Sequence, residues 1–172
     1  MLKYIYRDLM SMVRFLPYGI ILGGFISVTL LWVADKVWKK KGKAPEAVWG
    51  KVAFCIYIAV MLIITFLSRE SGNGHVLDLE LFSTWGINDR NNAYVVENVL
   101  LFIPFGFLGA YAFRPMKGFF CSAFLGTVTS LLIETLQLVT GRGFFQIDDI
   151  LTNALGTVIG YLVFRIISLF RK

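Results

Sequence analysis

Charge, histidine and cysteine are all scarce in this chain. Only 16% of its 172 residues are Asp, Glu, Lys or Arg. It has one histidine, His75, and two cysteines, Cys55 and Cys121. A soluble domain carries about a quarter charged residues. Low charge, combined with 57% hydrophobic residues and a mean hydropathy of +0.70, excludes an ordinary soluble domain. A single histidine leaves no Cys/His set with metal spacing and no Ser-His-Asp order. His75 follows a Gly-rich stretch, residues 71–74, and reads as a solvated loop residue. Both cysteines fall inside apolar runs and read as packing residues, not a disulfide framework. There is no internal repeat, no period-2 alternation of a membrane barrel and no glycine loop in a phosphate-cradling context. The first apolar segment lacks a small-residue cleavage site, so it is expected to stay on the chain.

Long apolar runs take the place of what is missing. Five are long enough to cross a bilayer as helices: about 15–33, 52–67, 95–113, 119–139 and 150–170. The expected fold is therefore all-α, a polytopic helical membrane bundle. Residues 1–51 hold an interfacial segment, the first span and a Lys-rich loop; residues 52–170 hold a four-helix core. The net charge of +6 sits largely in short segments beside the spans, where Lys and Arg set topology or touch anionic lipid. It does not point to nucleic acid. Lys36, Lys39, Lys40, Lys41, Lys43 and Lys51 mark the loop after the first span as cytoplasmic. Arg114 and Lys117, then Arg171 and Lys172, agree with that choice and set an N-out, C-in topology. Lys3, Arg7 and Arg14 run against it. An interfacial amphipathic helix over residues 1–14, with Tyr4, Leu9 and Met12 toward lipid, accounts for them.

Glu134 lies inside the fourth run, and an ionisable group there is a functional-site hypothesis by default. The topology puts other polar residues at the same membrane face: Ser68, Arg69, Glu70, Asn98, Gln137, Arg142, Asp148, Asp149 and Asn153. Gly126, Ser130, Glu134 and Gln137 form one helical stripe; Asp149, Asn153, Gly156 and Gly160 form another. The two stripes are expected to face each other, glycines packing below and polar groups meeting above. Arg69 and Arg142 are the available countercharges. Structural readings stand beside these. Asp148 could cap the fifth span and Asp149 answer its dipole. Gly141 could stop the fourth helix. Asn98 could be a cap or an interhelical hydrogen bond, Pro104 a kink, Ser68-Arg69-Glu70 an interfacial charge pair, and Glu134 a bundle staple. The amphipathic residues 78–82 are expected on the outer membrane surface.

The string Glu97-Asn98-Val99-Leu100-Leu101-Phe102-Ile103-Pro104-Phe105-Gly106-Phe107 resembles the signature of the VanZ-like membrane proteins. So do Ser130 to Gln137, Gly141-Arg142, and Asp148 to Gly156, in the same order and spacing. Ser68-Arg69-Glu70 and residues 78–82 look like an extended Gram-positive form. The resemblance covers about residues 52–170. It implies a small bacterial plasma-membrane protein from a family associated with teicoplanin resistance, and it supplies no reaction. Three functions follow as expectations. One is binding of a lipid-linked cell-wall precursor or the lipid tail of a lipoglycopeptide, with Arg69 and Arg142 on phosphate and Asn98, Gln137 and Asn153 on polar head groups. Another is an intramembrane enzyme with Glu134 as acid or base and a divalent cation at Asp148 and Asp149. The third, an ion-coupled transporter, has few spans and no repeat to serve alternating access. Membrane lipids are the expected partners, and the chain could form a homo-oligomer. No other cofactor is expected.

Overall fold

The computed structural model describes residues 1–39, 48–67 and 76–170. Ser68, Arg69, Glu70 and His75, together with Lys40, Lys41 and Lys43, lie outside the described residues. Among the described residues there are six α-helices: α1 (Leu2–Val13), α2 (Leu16–Lys39), α3 (Val48–Leu67), α4 (Asp89–Ala112), α5 (Phe119–Thr140) and α6 (Ile147–Phe170). Five of them, α2 to α6, are long and apolar enough to cross a membrane. The chain is an all-α membrane bundle.

Helices α3, α4 and α6 start earlier than hydropathy alone predicts. Asn88 caps α4 by accepting from the Arg90 and Asn91 amides at 3.0 and 2.8 Å. A capped helix tolerates a polar first turn, so α4 starts at Asp89 and not near Val95. Likewise α6 starts at Ile147, which puts Asp148 and Asp149 inside its first turn. The end of α5 is a glycine stop: Gly141 adopts φ 63°, ψ 23°, and its amide reaches the Gln137 and Leu138 carbonyls. That is the left-handed geometry glycine supports without a Cβ clash. Helix α4 runs through Pro104 to Ala112. Pro104 leaves the Leu100 carbonyl without its intrahelical donor, and the Tyr57 hydroxyl of α3 donates to the next carbonyl, that of Leu101.

Packing centres on α4 and α6, the most extensive helix pair in the fold. A Cβ added at Gly156 or Gly160 would overlap the Val99 or Ile103 carbonyl of α4, and one added at Gly106 would overlap the Thr157 carbonyl of α6. Small residues here bring two backbones together. The glycine pair of α6 therefore packs on α4, which corrects the expectation that it packs on α5. The glycine of α5, Gly126, does meet α6, but against the Thr157 side chain. Helix α3 closes on α4 through Met61, Phe102 and Phe105; Met116 of the α4–α5 connection and Ile133 of α5 complete the cluster, with Phe54 and Tyr57 beside it. Helix α2 lies outside α3, seated through Gly19 on Val60 and Gly23 on Ile56.

Helix α1 lies against α4. Ile5 is buried and Tyr4, Asp8 and Met12 are half-buried, whereas Leu2, Tyr6, Leu9, Met10 and Val13 are exposed. Of the three residues expected toward lipid, only Leu9 is exposed. Tyr4 and Met12 turn inward because they share a face with Ile5.

Candidate functional site

Antiparallel connections bring the end of α3, the start of α4, the end of α5 and the start of α6 to one end of the bundle. Six of the expected residues meet there: Glu134, Gln137, Arg142, Asp148, Asp149 and Asn153. Glu134, Gln137, Asp148, Asp149 and Asn153 are all buried.

Two of them terminate α3. The last carbonyls of a helix lack intrahelical donors. Gln137 Nε2 donates to the Thr65 carbonyl at 3.3 Å, and Arg142 Nη1 donates to the Phe66 carbonyl at 2.8 Å. Arg142 is thus a cap for α3 and not the countercharge to Glu134. Its position is itself fixed by its amide, which donates to the Gln137 carbonyl at 3.0 Å. A cation at a helix C-terminus also suits the helix dipole.

Asp148 ties down a loop. It is 1% exposed, and its Oδ1 and Oδ2 accept from the Phe82 and Thr84 amides at 2.7 and 2.9 Å. Phe82 has φ 62°, so the carboxylate holds a turn that a bulky residue adopts reluctantly. Asp78 secures the same loop by accepting from the Glu80 amide at 3.1 Å and the Ser83 hydroxyl at 2.8 Å. Those bonds, the Ser83 hydroxyl foremost, hold the Asp78 carboxyl below its ordinary pKa. A two-residue parallel bridge, β1 (Leu77–Asp78) with β2 (Phe145–Gln146), fastens it to the α5–α6 connection. The loop exposes Leu77, Leu79, Leu81, Phe82, Trp85 and Ile87. Each Asp148 oxygen thus spends one of its two acceptor positions on the loop. Among the described residues, no three His, Cys, Asp or Glu side chains converge as a metal set.

The remaining residues join α5 to α6. Glu134, 2% exposed, accepts from the Gln146 amide at Oε2 across 3.3 Å. One turn earlier Ser130 accepts from Asn153 Nδ2 at 2.8 Å. Asn153 is 3% exposed, and its Oδ1 is buried with no hydrogen-bond donor among the described residues. Such an atom is uncommon in a folded protein and calls for an explanation. Asn98 on α4 is half-buried, and no side-chain hydrogen bond to another described residue fixes it. Ser130, Phe82, Thr84 and Gln146 were not foreseen as members of the site. Ser130 lies on the same stripe as Glu134 and was legible by its spacing. The other three act through main-chain amides, which carry no side-chain signal.

The VanZ/LLP1 family model matches residues 54–168. Protein VanZ of Enterococcus faecium is 32% identical over 116 residues, which cover 64% of this chain and 69% of that protein. No solved structure matches the chain. The chain belongs to the VanZ/LLP1 family.

Proposed function

We propose that this VanZ/LLP1 protein works in the bacterial plasma membrane and contributes to resistance to teicoplanin or related lipoglycopeptides. It does so by holding the polar head group of a lipid-linked cell-wall precursor at the end of the bundle where α5 meets α6. The observation that carries the reading is Asn153 Oδ1, a buried acceptor with no protein donor in reach among the described residues. Burying it unmatched costs roughly 1–3 kcal/mol, and a ligand hydroxyl or amide removes that cost. Asn98 adds a half-buried amide whose side chain makes no hydrogen bond to another described residue. The Lys-rich segment after α2, taken as cytoplasmic, turns this end outward, toward the leaflet where glycopeptides act. The apolar loop of residues 76–88 lies beside the same end and suits the hydrocarbon part of the precursor or of the drug.

A second reading rests on Glu134. Its burial, 2% exposed, and its 3.3 Å contact with the Gln146 amide support acid–base work on a lipid-linked phosphate ester. The two readings part in one experiment. Teicoplanin susceptibility and cell-wall lipid profiles are compared in hosts expressing wild type, Glu134→Gln and Asn153→Ala, with membrane levels checked. The binding reading expects resistance without any new lipid species, partly kept in Glu134→Gln because the amide still accepts from Gln146. A lipid species that appears with wild type and disappears with Glu134→Gln favours the enzyme. Unchanged susceptibility and unchanged lipids with wild type overturn both.

A further inference from the structure

Helix α1 carries three faces, and among the described residues only one meets the rest of the bundle. Tyr4, Ile5, Asp8 and Met12 face inward. Leu2, Tyr6, Leu9 and Val13, at steps of four, three and four, form an exposed apolar stripe. Lys3, Arg7 and Arg14, at steps of four and seven, form a second exposed stripe, offset from the first by roughly a quarter turn. The one acidic residue of α1, Asp8, is half-buried and pairs with Arg7 at 3.0 Å. Cations beside an apolar stripe match the boundary between headgroups and acyl chains of an anionic leaflet. The helix is also continuous with the bilayer-crossing surface, since α2 begins at Leu16.

We infer that α1 is a docking element for anionic phospholipid: Leu2, Tyr6, Leu9 and Val13 enter the acyl boundary while Lys3, Arg7 and Arg14 bind headgroup phosphates. This accounts for the three cations that oppose the charge rule for loop orientation. They are spent on lipid at the surface of whichever leaflet α1 occupies, so they do not act as a topology signal. It does not depend on the proposed precursor site, because none of these residues belongs to it.

The test uses the full chain in a Cys55→Ser, Cys121→Ser background, with the polarity-sensitive dye NBD placed at Leu9→Cys or at Ser11→Cys. The protein is put into phosphatidylcholine nanodiscs with increasing phosphatidylglycerol. The dye at position 9 moves to an apolar environment as the anionic lipid rises, and the dye at position 11 stays in water. An attraction of about 1 kcal/mol per cation corresponds to a roughly five-fold shift of the midpoint. Arg14→Gln therefore needs roughly five-fold more phosphatidylglycerol, and added salt acts in the same direction. Circular dichroism unchanged from the parent keeps these surface variants interpretable. A dye at position 9 that stays in water at every composition overturns the inference. So does an apolar environment independent of phosphatidylglycerol. An environment that instead follows the number of protein copies per disc assigns the stripe to a second copy and also overturns it.

Discussion

Asn153 of α6 donates to Ser130 of α5 across 2.8 Å, with neither residue more than 3% exposed. This bond sits one turn below Glu134 and latches the two helices that build the polar end. Removing Ser130 leaves a buried amide N–H without its acceptor. Ser130→Ala should cost about 1–2 kcal/mol. A double-mutant cycle with Asn153→Ala should give a coupling near 0.6 kcal/mol, the usual size inside membranes. Thermal or chemical unfolding in detergent micelles measures both, and additive losses would show that the bond contributes nothing.

Asp148 should govern the order of the 76–88 loop. In Asp148→Asn, one of the two amides at Phe82 and Thr84 faces an NH2 group in place of an oxygen. Losing a hydrogen bond to a charged group costs about 1.5–3 kcal/mol, so amide exchange at residues 82–84 should rise on the order of ten- to hundred-fold. Exchange in α4 should stay as in wild type. Mass-resolved hydrogen exchange distinguishes this from general loosening.

Acid should release the same loop through Asp78. Its folded pKa is depressed, first by the Ser83 hydroxyl and then by the Glu80 amide. A depressed carboxyl contributes stability above its unfolded pKa, about 3.9, and loses it as pH falls through the lower folded value. Loop protection should therefore decline with acid below about pH 4. Asp78→Asn should remove that dependence, as exchange measured from neutral to acid pH would show.

Gly160 sets how close α4 and α6 approach. A methyl group there meets the Ile103 carbonyl, a backbone atom that cannot swing away. Gly160→Ala should cost about 1–3 kcal/mol, the range for overpacking. Gly24→Ala serves as the control, because nothing lies within 4 Å of its added Cβ. Equal losses in the two variants would contradict the close-packed seam.

Much of this architecture is legible in the amino-acid sequence. The five spans follow from run length, and Gly141 was readable as a stop. The shared end of Glu134, Gln137, Asp148, Asp149 and Asn153 follows from alternating helix direction. What stayed hidden has a common physical cause. Stripe spacing says which residues share a face, not which neighbour that face meets, so Gly156 and Gly160 were assigned to α5 when they pack on α4. The fates of Asp148 and Arg142 depend on backbone amides and carbonyls at Phe82, Thr84 and Phe66, groups every residue carries. Asn88 hid the start of α4, since a polar first turn carries no hydropathy signal.

Direct binding at the polar end decides the central claim. Wild-type protein and Asn98→Ala, whose side chain holds no hydrogen bond in the fold among the described residues, are released from nanodiscs containing a lipid-linked cell-wall precursor and matched phosphatidylglycerol. Native mass spectrometry then counts the retained lipids. Wild type should keep the precursor in preference to phosphatidylglycerol. Asn98→Ala should keep it roughly five-fold less, the loss of about 1 kcal/mol from one hydrogen bond. Equal retention of precursor and phosphatidylglycerol by the wild type would contradict a head-group site at this end of the bundle.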